Sequence, residues 1–218
     1  MDQFRDFRTA LAAQEMDTIF DIGANVGKTV LALREAYRDA RIFAFEPVGG
    51  TFDLLQEAVG KDPKIKCLRM AFGDVKAKLR MEASPGSVKS RITDQAGGLE
   101  VEVYRGDDFC AEQGIERVNF LKIDTEGFDL KVCQGFASML RAGRIDILQV
   151  EAGLSPTNKL HVPFQAFKEY LEPIGYSLFR IYDQAGWPAV RRCDAVFVSS
   201  TVVARSRRQP RKVETSWL

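Results

Sequence analysis

Short apolar runs alternate with apolar residues at helical spacing along most of the chain. The runs, at residues 18–22, 41–45, 65–71, 119–123 and 147–150, predict buried β-strands. The helical spacing predicts five amphipathic faces, formed by Phe4, Phe7 and Leu11; by Val26, Val30, Leu33 and Tyr37; by Phe52, Leu55 and Val59; by Phe128, Val132, Phe136 and Met139; and by Phe164, Phe167 and Leu171. Residues 177–182 and 195–198 predict a closing antiparallel pair. This alternation predicts a doubly wound α/β fold with a mostly parallel sheet and helices on both faces.

The alternation breaks between residues 77 and 105. Residues 78–83 and 99–104 predict two short strands around a polar stretch, 84–98, which reads as a hairpin insertion with a mobile tip. We expect one domain over residues 1–200, opened by a helix within residues 1–16. Residues 201–218 are polar and basic, and they predict a flexible tail.

Composition and charge narrow the function classes. The 218 residues are 45% hydrophobic and 28% charged, which is typical of a globular protein. The net charge is +1, and five positive charges lie between Arg205 and Lys212, so without them the chain carries −4. We therefore expect no nucleic-acid duplex as partner. Without a signal peptide, an apolar run of about 20 residues or closely spaced cysteines, the sequence predicts a cytoplasmic protein with unpaired, mostly buried thiols.

The strongest motif lies where the first strand turns into the first helix. Asp21 lies at the end of the strand, and Gly23 and Gly27 follow in a D-x-G-x-x-x-G pattern. In an open α/β sheet, ligands bind in the crevice at the carboxyl ends of the strands. A dinucleotide fold would carry glycine at positions 25 and 28 as well, where this chain has asparagine and lysine. The motif favours a ligand with an amino-acid end, because Asp21 would repel a pyrophosphate.

Three further acids follow two of the predicted strands. Glu46 ends the second strand, where an acid accepts hydrogen bonds from ribose hydroxyls; the alternative is an exposed carboxylate at a strand end. Asp124 and Glu126 follow the fourth strand, just before Gly127. The alternative for these acids is the capping of a helix start.

These motifs resemble the FkbM family of class I methyltransferases. The matching segments are residues 20–27, 45–47, 70–74, 121–127 and 132–135, in the family's order over residues 17–151. The resemblance implies a Rossmann-like sheet of seven strands with the last one antiparallel. It also implies S-adenosyl-L-methionine as cofactor and, commonly, an oxygen atom as methyl acceptor.

The resemblance also assigns positions to the cofactor. Those expected around its methionine half all lie in the first turn: Asp21, Gly23, Ala24, Asn25 and Gly27. Those expected at the ribose and the adenine follow the next two strands: Glu46 with Pro47, and Ala71 with Phe72. Asp124 and Glu126 would face both the cofactor and the acceptor.

The expected reaction is methyl transfer to a hydroxyl of a small molecule or glycan, either a sugar or a secondary metabolite. Asp124, Glu151 and His161 are the candidate proton acceptors, although a lone histidine is more often polar surface. The clustered carboxylates do not by their spacing require a metal, and none is predicted. A homo-oligomer is possible.

Alternatives remain. The sequence after the fourth strand lacks the proline and aromatic residue typical of base methyltransferases, which argues against a base-flipping enzyme. An N-methyltransferase, a non-catalytic cofactor-binding or interaction module on the same fold, and a dinucleotide enzyme stay open, because a fold alone does not define a function.

Overall fold

A seven-stranded sheet forms the centre of the computed structural model, which describes residues 3–11, 16–83, 90–93 and 98–208. In chain order the strands are β1 (Thr18–Ile22), β2 (Arg41–Phe45), β3 (Ile65–Leu68), β4 (Ala71–Phe72), β5 (Ala77–Ala83), β6 (Ser90–Thr93), β7 (Leu99–Tyr104), β8 (Val118–Ile123), β9 (Ile145–Gly153), β10 (Tyr176–Ala185) and β11 (Arg192–Ser199). The main sheet has the order β10-β11-β9-β8-β1-β2-β3. Only β11 runs against the other six, since it pairs antiparallel with both β9 and β10. The expected doubly wound sheet with an antiparallel last strand is confirmed.

Eight α-helices flank this sheet within the described residues. They are α1 (Gln3–Ala10), α2 (Lys28–Ala36), α3 (Gly49–Val59), α4 (Gly106–Glu112), α5 (Asp129–Gly135), α6 (Ala137–Arg141), α7 (Phe164–Leu171) and α8 (Ser200–Arg208). Helices α1, α2, α3 and α8 contribute to the apolar cluster on one face, and α4 to α7 to the cluster on the other. Across the part of the chain that the structure describes, no helix is both long and apolar enough to cross a membrane.

Burial on both faces explains the continuous apolar runs of the central strands. All five residues of β1 are buried: Ile19 packs in the cluster with α2, and Phe20 packs in the opposite cluster with α4. Parallel strands covered by helices on both sides read as uninterrupted apolar segments. This is why β1, β2 and β8 were predictable within a residue of their ends.

Three local predictions were wrong. The predicted strand 65–71 is two strands, because the chain leaves the sheet edge after Leu68 and Ala71–Phe72 pairs with β7 in a second, four-stranded sheet. The predicted single stripe from Phe128 to Met139 is divided between α5 and α6. The polar stretch read as a hairpin tip contains β6, which pairs with β5; residues 84–89 and 94–97 lie outside the described residues.

The predicted flexible tail is also corrected. Residues 200–208 form α8, and Val202 is fully buried against the sheet. One buried side chain in a run of polar and basic residues is too weak a pattern to predict a helix. The rest of the tail, residues 209–218, lies outside the described residues. The four cysteines are unpaired as expected, and three of them are buried.

Candidate active site at the strand ends

Four parallel strands bring their carboxyl ends together at one edge of the sheet, in the order β2, β1, β8 and β9. Glu46 follows β2, Asp124 follows β8, and Glu151 lies near the end of β9. The predicted strand 147–150 places Glu151 directly after it, but β9 continues three residues further, to Gly153. Ligands of doubly wound folds bind at this edge of the sheet, so these acids line the expected crevice.

The turn after β1 is held by both of its neighbouring strands. The N–H groups of Gly23 and Ala24 donate to the carbonyl oxygen of Phe45 at 3.0 and 2.9 Å. Gly23 and Asn25 have φ values of 81° and 51°, in the left-handed region. A Cβ on Gly23 would lie 1.9 Å from the carbonyl oxygen of Asp124. Close contact with the end of β8 therefore requires glycine here, independently of any ligand.

Gly27, directly before α2, lies close to the neighbouring helix α3. A Cβ at this position would lie 3.0 Å from Cδ1 of Leu55 on α3. A side chain at position 27 would therefore crowd Leu55, and the φ of 86° also favours glycine here. Its place in the cofactor site stays a prediction.

Glu46 connects the first turn to the start of α3. Its Oε2 accepts from the N–H of Asn25 at 3.1 Å, and its Oε1 accepts from the N–H of Val48 at 3.0 Å. The side chain is buried rather than exposed, and this burial raises the pKa of the carboxyl group. Each carboxylate oxygen has a second lone pair, so Glu46 can still accept bonds from a ribose. Pro47, beside it, accepts a long contact from Nε of Arg69.

A buried lysine joins the acids at the ends of β1 and β8. Nζ of Lys122 lies 3.5 Å from Oδ1 of Asp21 and donates to Oδ2 of Asp124 at 3.0 Å. Burial raises the pKa of Asp21, although Lys122 acts in the opposite direction. Burial alone would lower the pKa of Lys122, but the two carboxylates outweigh it and the pKa is raised. Asp21 was expected to point into the crevice beside a ligand ammonium; it is fully buried, and the ammonium beside it belongs to Lys122.

Asp124 does not cap the next helix. Helix α5 begins only at Asp129, and the residue before it is Phe128. The loop is organised instead by Asp129, whose Oδ2 accepts from Oγ1 of Thr125 at 3.0 Å and from the N–H of Gly127 at 3.2 Å. Sequence reasoning missed Asp129, and also missed Lys122, whose place inside an apolar run flanked by acids was a signal.

Glu126, Glu151 and His161 form a cluster on the β9 side of the crevice. Their candidate ligand atoms all lie within 4.8 Å of one another. Nε2 of His161 lies 2.7 Å from Oε2 of Glu151, and Arg192 donates to the other oxygen, Oε1. His161 is 8% exposed, so its interpretation as polar surface is wrong.

Asn158 fixes the other side of the His161 ring. Nδ1 of His161 lies 2.9 Å from Nδ2 and 3.1 Å from Oδ1 of Asn158. The amide itself is oriented by the backbone: Oδ1 accepts from the N–H groups of Leu160 and His161, and Nδ2 donates to the carbonyl of Arg191. Neither the sequence pattern nor the family resemblance pointed to Asn158.

Ala71 and Phe72, expected near the adenine, form the short strand β4. Both are buried, and the Phe72 ring lies 4.8 Å from the Phe45 ring, centroid to centroid, within an aromatic cluster. Their contact with a cofactor stays a prediction. It would use the backbone of Phe72, because the ring packs in the core.

A cleft of about 570 Å³ opens beyond the end of β9, beside His161. The segment from Gly153 to Asn158 forms one side, and Phe164 and Gln165 at the start of α7 form the other. Cofactor and substrate sites are typically concavities of roughly 300–1,000 Å³ with a few convergent polar groups. The cleft is therefore large enough for a second ligand next to the acidic crevice.

Comparison with known proteins identifies a family. The sequence model of the family described as "Methyltransferase FkbM domain" matches residues 21–178. The hexuronic acid methyltransferase AglP of Haloferax volcanii is 27% identical over 146 residues, covering 66% of this chain and 60% of AglP. The 2-O-methyltransferase NoeI of Sinorhizobium fredii is 24% identical over 136 residues, covering 54% of this chain and 56% of NoeI. The matched parts are thus less than two thirds of either relative.

Solved structures support the same fold. A LepI variant in complex with SAH and a substrate analogue superposes with a TM-score of 0.51 at 13% identity, covering 91% of this chain and 47% of that one. Fibrillarin of Aeropyrum pernix, with bound S-adenosyl-L-methionine, gives a TM-score of 0.50 at 14% identity, with coverages of 89% and 76%. At such identities the likeness concerns the fold.

Proposed function

The chain belongs to the FkbM methyltransferase family, and we propose that it transfers a methyl group from S-adenosyl-L-methionine to a hydroxyl oxygen. The observation that carries this proposal is the arrangement at three adjacent strand ends. The turn after β1, the Glu46 carboxylate after β2 and the Asp124 carboxylate after β8 line one crevice. In such a crevice the turn and Glu46 can bind the nucleoside part of the cofactor, while Asp124 lies beside the methyl group that is transferred.

The residues of the crevice fit S-adenosyl-L-methionine. Glu46 keeps acceptor capacity for the ribose hydroxyls, while its contact with Asn25 fixes the turn. Asp124 is 40% exposed and adds negative charge where the cationic end of the cofactor would lie. Asp21 would act through Lys122, which it contacts, rather than on the ligand directly.

The cofactor supplies a methyl group already activated on a sulfonium, so the protein has to position the acceptor and take up its proton. When the oxygen–carbon bond forms, the carbon–sulfur bond breaks and the acceptor hydroxyl loses its proton. Alignment of the acceptor contributes up to roughly 7–11 kcal/mol in favourable cases, and a positioned base typically adds about 10²–10⁴-fold.

Asp124 is the proton acceptor that we favour among the three candidates. Its Oδ2 accepts from Lys122, and its side chain reaches the solvent-accessible crevice. Both oxygens of Glu151 already contact donors, Arg192 and His161. His161 is buried between Glu151 and Asn158, and each of its two ring nitrogens already contacts one of these side chains. We therefore propose that Glu151 and His161 position neighbouring groups and do not take up the proton directly.

The cleft beside His161 is the proposed acceptor site. The cleft is lined by apolar side chains together with Ser155, Asn158 and Gln165, whose polar groups can bind the hydroxyl groups of a ligand. The names of AglP and NoeI, a hexuronic acid methyltransferase and a 2-O-methyltransferase, favour a sugar hydroxyl. The acceptor in this proposal is therefore a sugar or a comparable secondary metabolite, and not a nucleic acid.

Two measurements test the proposed function. Isothermal titration calorimetry with S-adenosylhomocysteine and with NAD should give binding of the first alone. Incubation with methyl-labelled S-adenosyl-L-methionine and a panel of sugars, polyols and amines should label hydroxyl compounds. Binding without any transfer would favour a non-catalytic module, and labelled amines would favour an N-methyltransferase.

A further inference from the structure

Three side chains from separate segments converge at the border between the acidic crevice and the cleft. Glu126 comes from the loop after β8, Glu151 from β9, and His161 from the segment before α7. Their candidate ligand atoms lie within 4.8 Å of one another, and Glu151 and His161 are both more than nine-tenths buried. We infer that Glu126, Glu151 and His161 bind one divalent transition-metal cation of the Mn²⁺ type.

The separations match those of ligands around one ion. Two ligands at right angles, each about 2.1 Å from a cation, lie about 3.0 Å apart. Nε2 of His161 and Oε2 of Glu151 are 2.7 Å apart, so a shift of a few tenths of an ångström admits the ion. The three ligand atoms lie within 4.8 Å of one another, and opposite ligands of one ion are about 4.2 Å apart, so the cluster would have to close by at most about 0.6 Å around the ion.

Asn158 supplies the outer support that a ligating histidine needs. The Nδ1–H of such a histidine typically donates to an oxygen, which leaves Nε2 for the metal. Oδ1 of Asn158 lies 3.1 Å from Nδ1 of His161, and two backbone N–H groups hold that oxygen in place. Without a cation the ring can donate from Nε2 to Glu151 and accept from Nδ2 of Asn158, at 2.9 Å. Asn158 can therefore pair with either tautomer of His161, including the Nδ1–H form that leaves Nε2 for the metal.

The backbone holds Glu126 beside the other two ligands. Glu126 has a φ of 52°, an uncommon value for a residue with a side chain. The next residue, Gly127, packs so closely on the segment leading to His161 that a Cβ would lie 2.2 Å from the carbonyl oxygen of Leu160. Strained conformations persist where the surrounding contacts fix them, and they are frequent at ligand sites.

The ligand set selects the class of cation. Two carboxylates and one imidazole form a mixed oxygen and nitrogen set, which suits Mn²⁺ and its first-row neighbours better than Ca²⁺. Arg192 occupies Oε1 of Glu151, so that carboxylate presents Oε2 to the ion. Three protein ligands leave coordination positions on the cation for water or for a hydroxyl group of a ligand in the adjoining cleft. The cation would lower the pKa of the water or hydroxyl group that it binds. This role in catalysis rests on the proposed function, whereas cation binding does not.

Electron paramagnetic resonance of Mn²⁺ added to the full chain tests the site directly. The signal of free Mn²⁺ should fall with a stoichiometry of one ion per chain.

Glu126→Gln and His161→Gln should each weaken Mn²⁺ binding at least tenfold, and Asn158→Ala about 10–100-fold. Glu169→Gln, at an exposed acid of α7, serves as the matched control and should bind like the unmodified chain. Circular dichroism checks the fold of each variant, and the half-buried Glu126 provides a variant that does not disturb the core.

Cation binding and methyl transfer can each fail without the other. The absence of Mn²⁺ binding at millimolar concentration, or equal affinity in the unmodified chain and Glu126→Gln, would overturn the cation site. Methyl transfer that proceeds unchanged in a chelator, together with no Mn²⁺ binding, would leave the proposed function intact. Mn²⁺ binding that Glu126→Gln abolishes supports the site even if no hydroxyl acceptor is methylated.

Discussion

Gly23 lies against Asp124 so closely that a Cβ on Gly23 would be 1.9 Å from the carbonyl oxygen of Asp124. This contact joins the turn after β1 to the proposed proton acceptor through the backbone. Ile22 reinforces it, because its carbonyl oxygen accepts from the N–H of Asp124 at 3.0 Å. The turn after β1 and the acid after β8 are therefore in direct contact, and we expect a change in one to affect the other.

Gly23→Ala should destabilise the fold, in addition to any effect on ligand binding. The new methyl group would overlap a backbone oxygen, and the φ of 81° disfavours any residue with a Cβ. We expect a loss of about 2 kcal/mol or more in the free energy of unfolding, measured by urea titration. Gly50→Ala in α3 is the control, because no atom lies within 4 Å of the added Cβ, and it should be neutral or stabilising by up to about 1 kcal/mol. Equal stability of the two variants would contradict the close contact.

Lys122→Met should leave Asp21 as a buried carboxyl group without its cation. Removing one partner of a buried ion pair typically costs about 3–5 kcal/mol. The free energy of unfolding of Lys122→Met, Asp21→Asn and the double variant forms a double-mutant cycle. We expect the double variant to recover part of the loss caused by Lys122→Met, and additive effects would mean that the two side chains do not interact.

Asp129 should make stability depend on pH. Burial, with a further contribution from the charge of Asp124, raises the pKa of Asp129 to about 7; in the unfolded chain it is about 3.9. The folded chain thus holds a proton that the unfolded chain releases, so this stabilisation is complete below about pH 4 and declines as the pH rises through about 7.

Asp129→Asn mimics the protonated acid and keeps an oxygen for Thr125 and Gly127. Between pH 5 and pH 8 the unmodified chain should therefore lose about 2–3 kcal/mol more than Asp129→Asn in urea titrations. Asp53→Asn, at an exposed position of α3, should follow the unmodified chain. Parallel stability profiles for all three proteins would refute the assignment to Asp129.

Glu46→Ala should weaken S-adenosylhomocysteine binding by about 1–3 kcal/mol in calorimetry, because hydrogen bonds to a charged group are lost. The two backbone N–H groups that Glu46 now accepts from would also lose their partner, which loosens the turn. Glu46→Gln keeps an acceptor for one of them and should show a smaller loss. Unchanged affinity in Glu46→Ala would remove Glu46 from the cofactor site.

Asp124→Asn should abolish most methyl transfer while the chain stays folded. The amide keeps the size of the side chain but cannot take up a proton, so the expected loss in turnover is about 10²–10⁴-fold. S-adenosylhomocysteine affinity and the thermal midpoint should change much less than turnover, and Asp53→Asn again serves as the control. Turnover near that of the unmodified chain would show that Asp124 is not the proton acceptor.

The sequence predicted the parts of this fold that follow from periodicity and from strand ends. Runs buried on both faces revealed β1, β2 and β8, and the acids after them pointed to one edge of the sheet. Helix α4 was not predicted, because residues 106–112 carry too few apolar side chains to form a recognisable apolar face. The end of β3 at Leu68 was not predicted either, because it depends on β3 being the edge strand of the main sheet.

Contacts between distant segments explain what the sequence did not predict in the site. Lys122 has apolar neighbours on both sides in the sequence and resembles a single polar position in a strand. In the fold it lies between Asp21 of β1 and Asp124 after β8. Asn158 fixes His161 through backbone groups that are arranged only in the folded chain. The cluster of Glu126, Glu151 and His161 likewise joins positions 35 residues apart, and no short motif spans them.

The central place of β1 has a consequence for biosynthesis. β1 pairs with β2 shortly after it in the chain, but its other neighbour, β8, begins only at Val118. While the ribosome is still making the intervening residues, one edge of β1 is unpaired and the turn at Gly23 lacks its support from Asp124. Pairing across such a sequence separation is slow, and an exposed strand edge promotes aggregation. The nascent chain should therefore become competent to bind its cofactor only after β8 has left the exit tunnel, which makes cofactor binding a late event in synthesis.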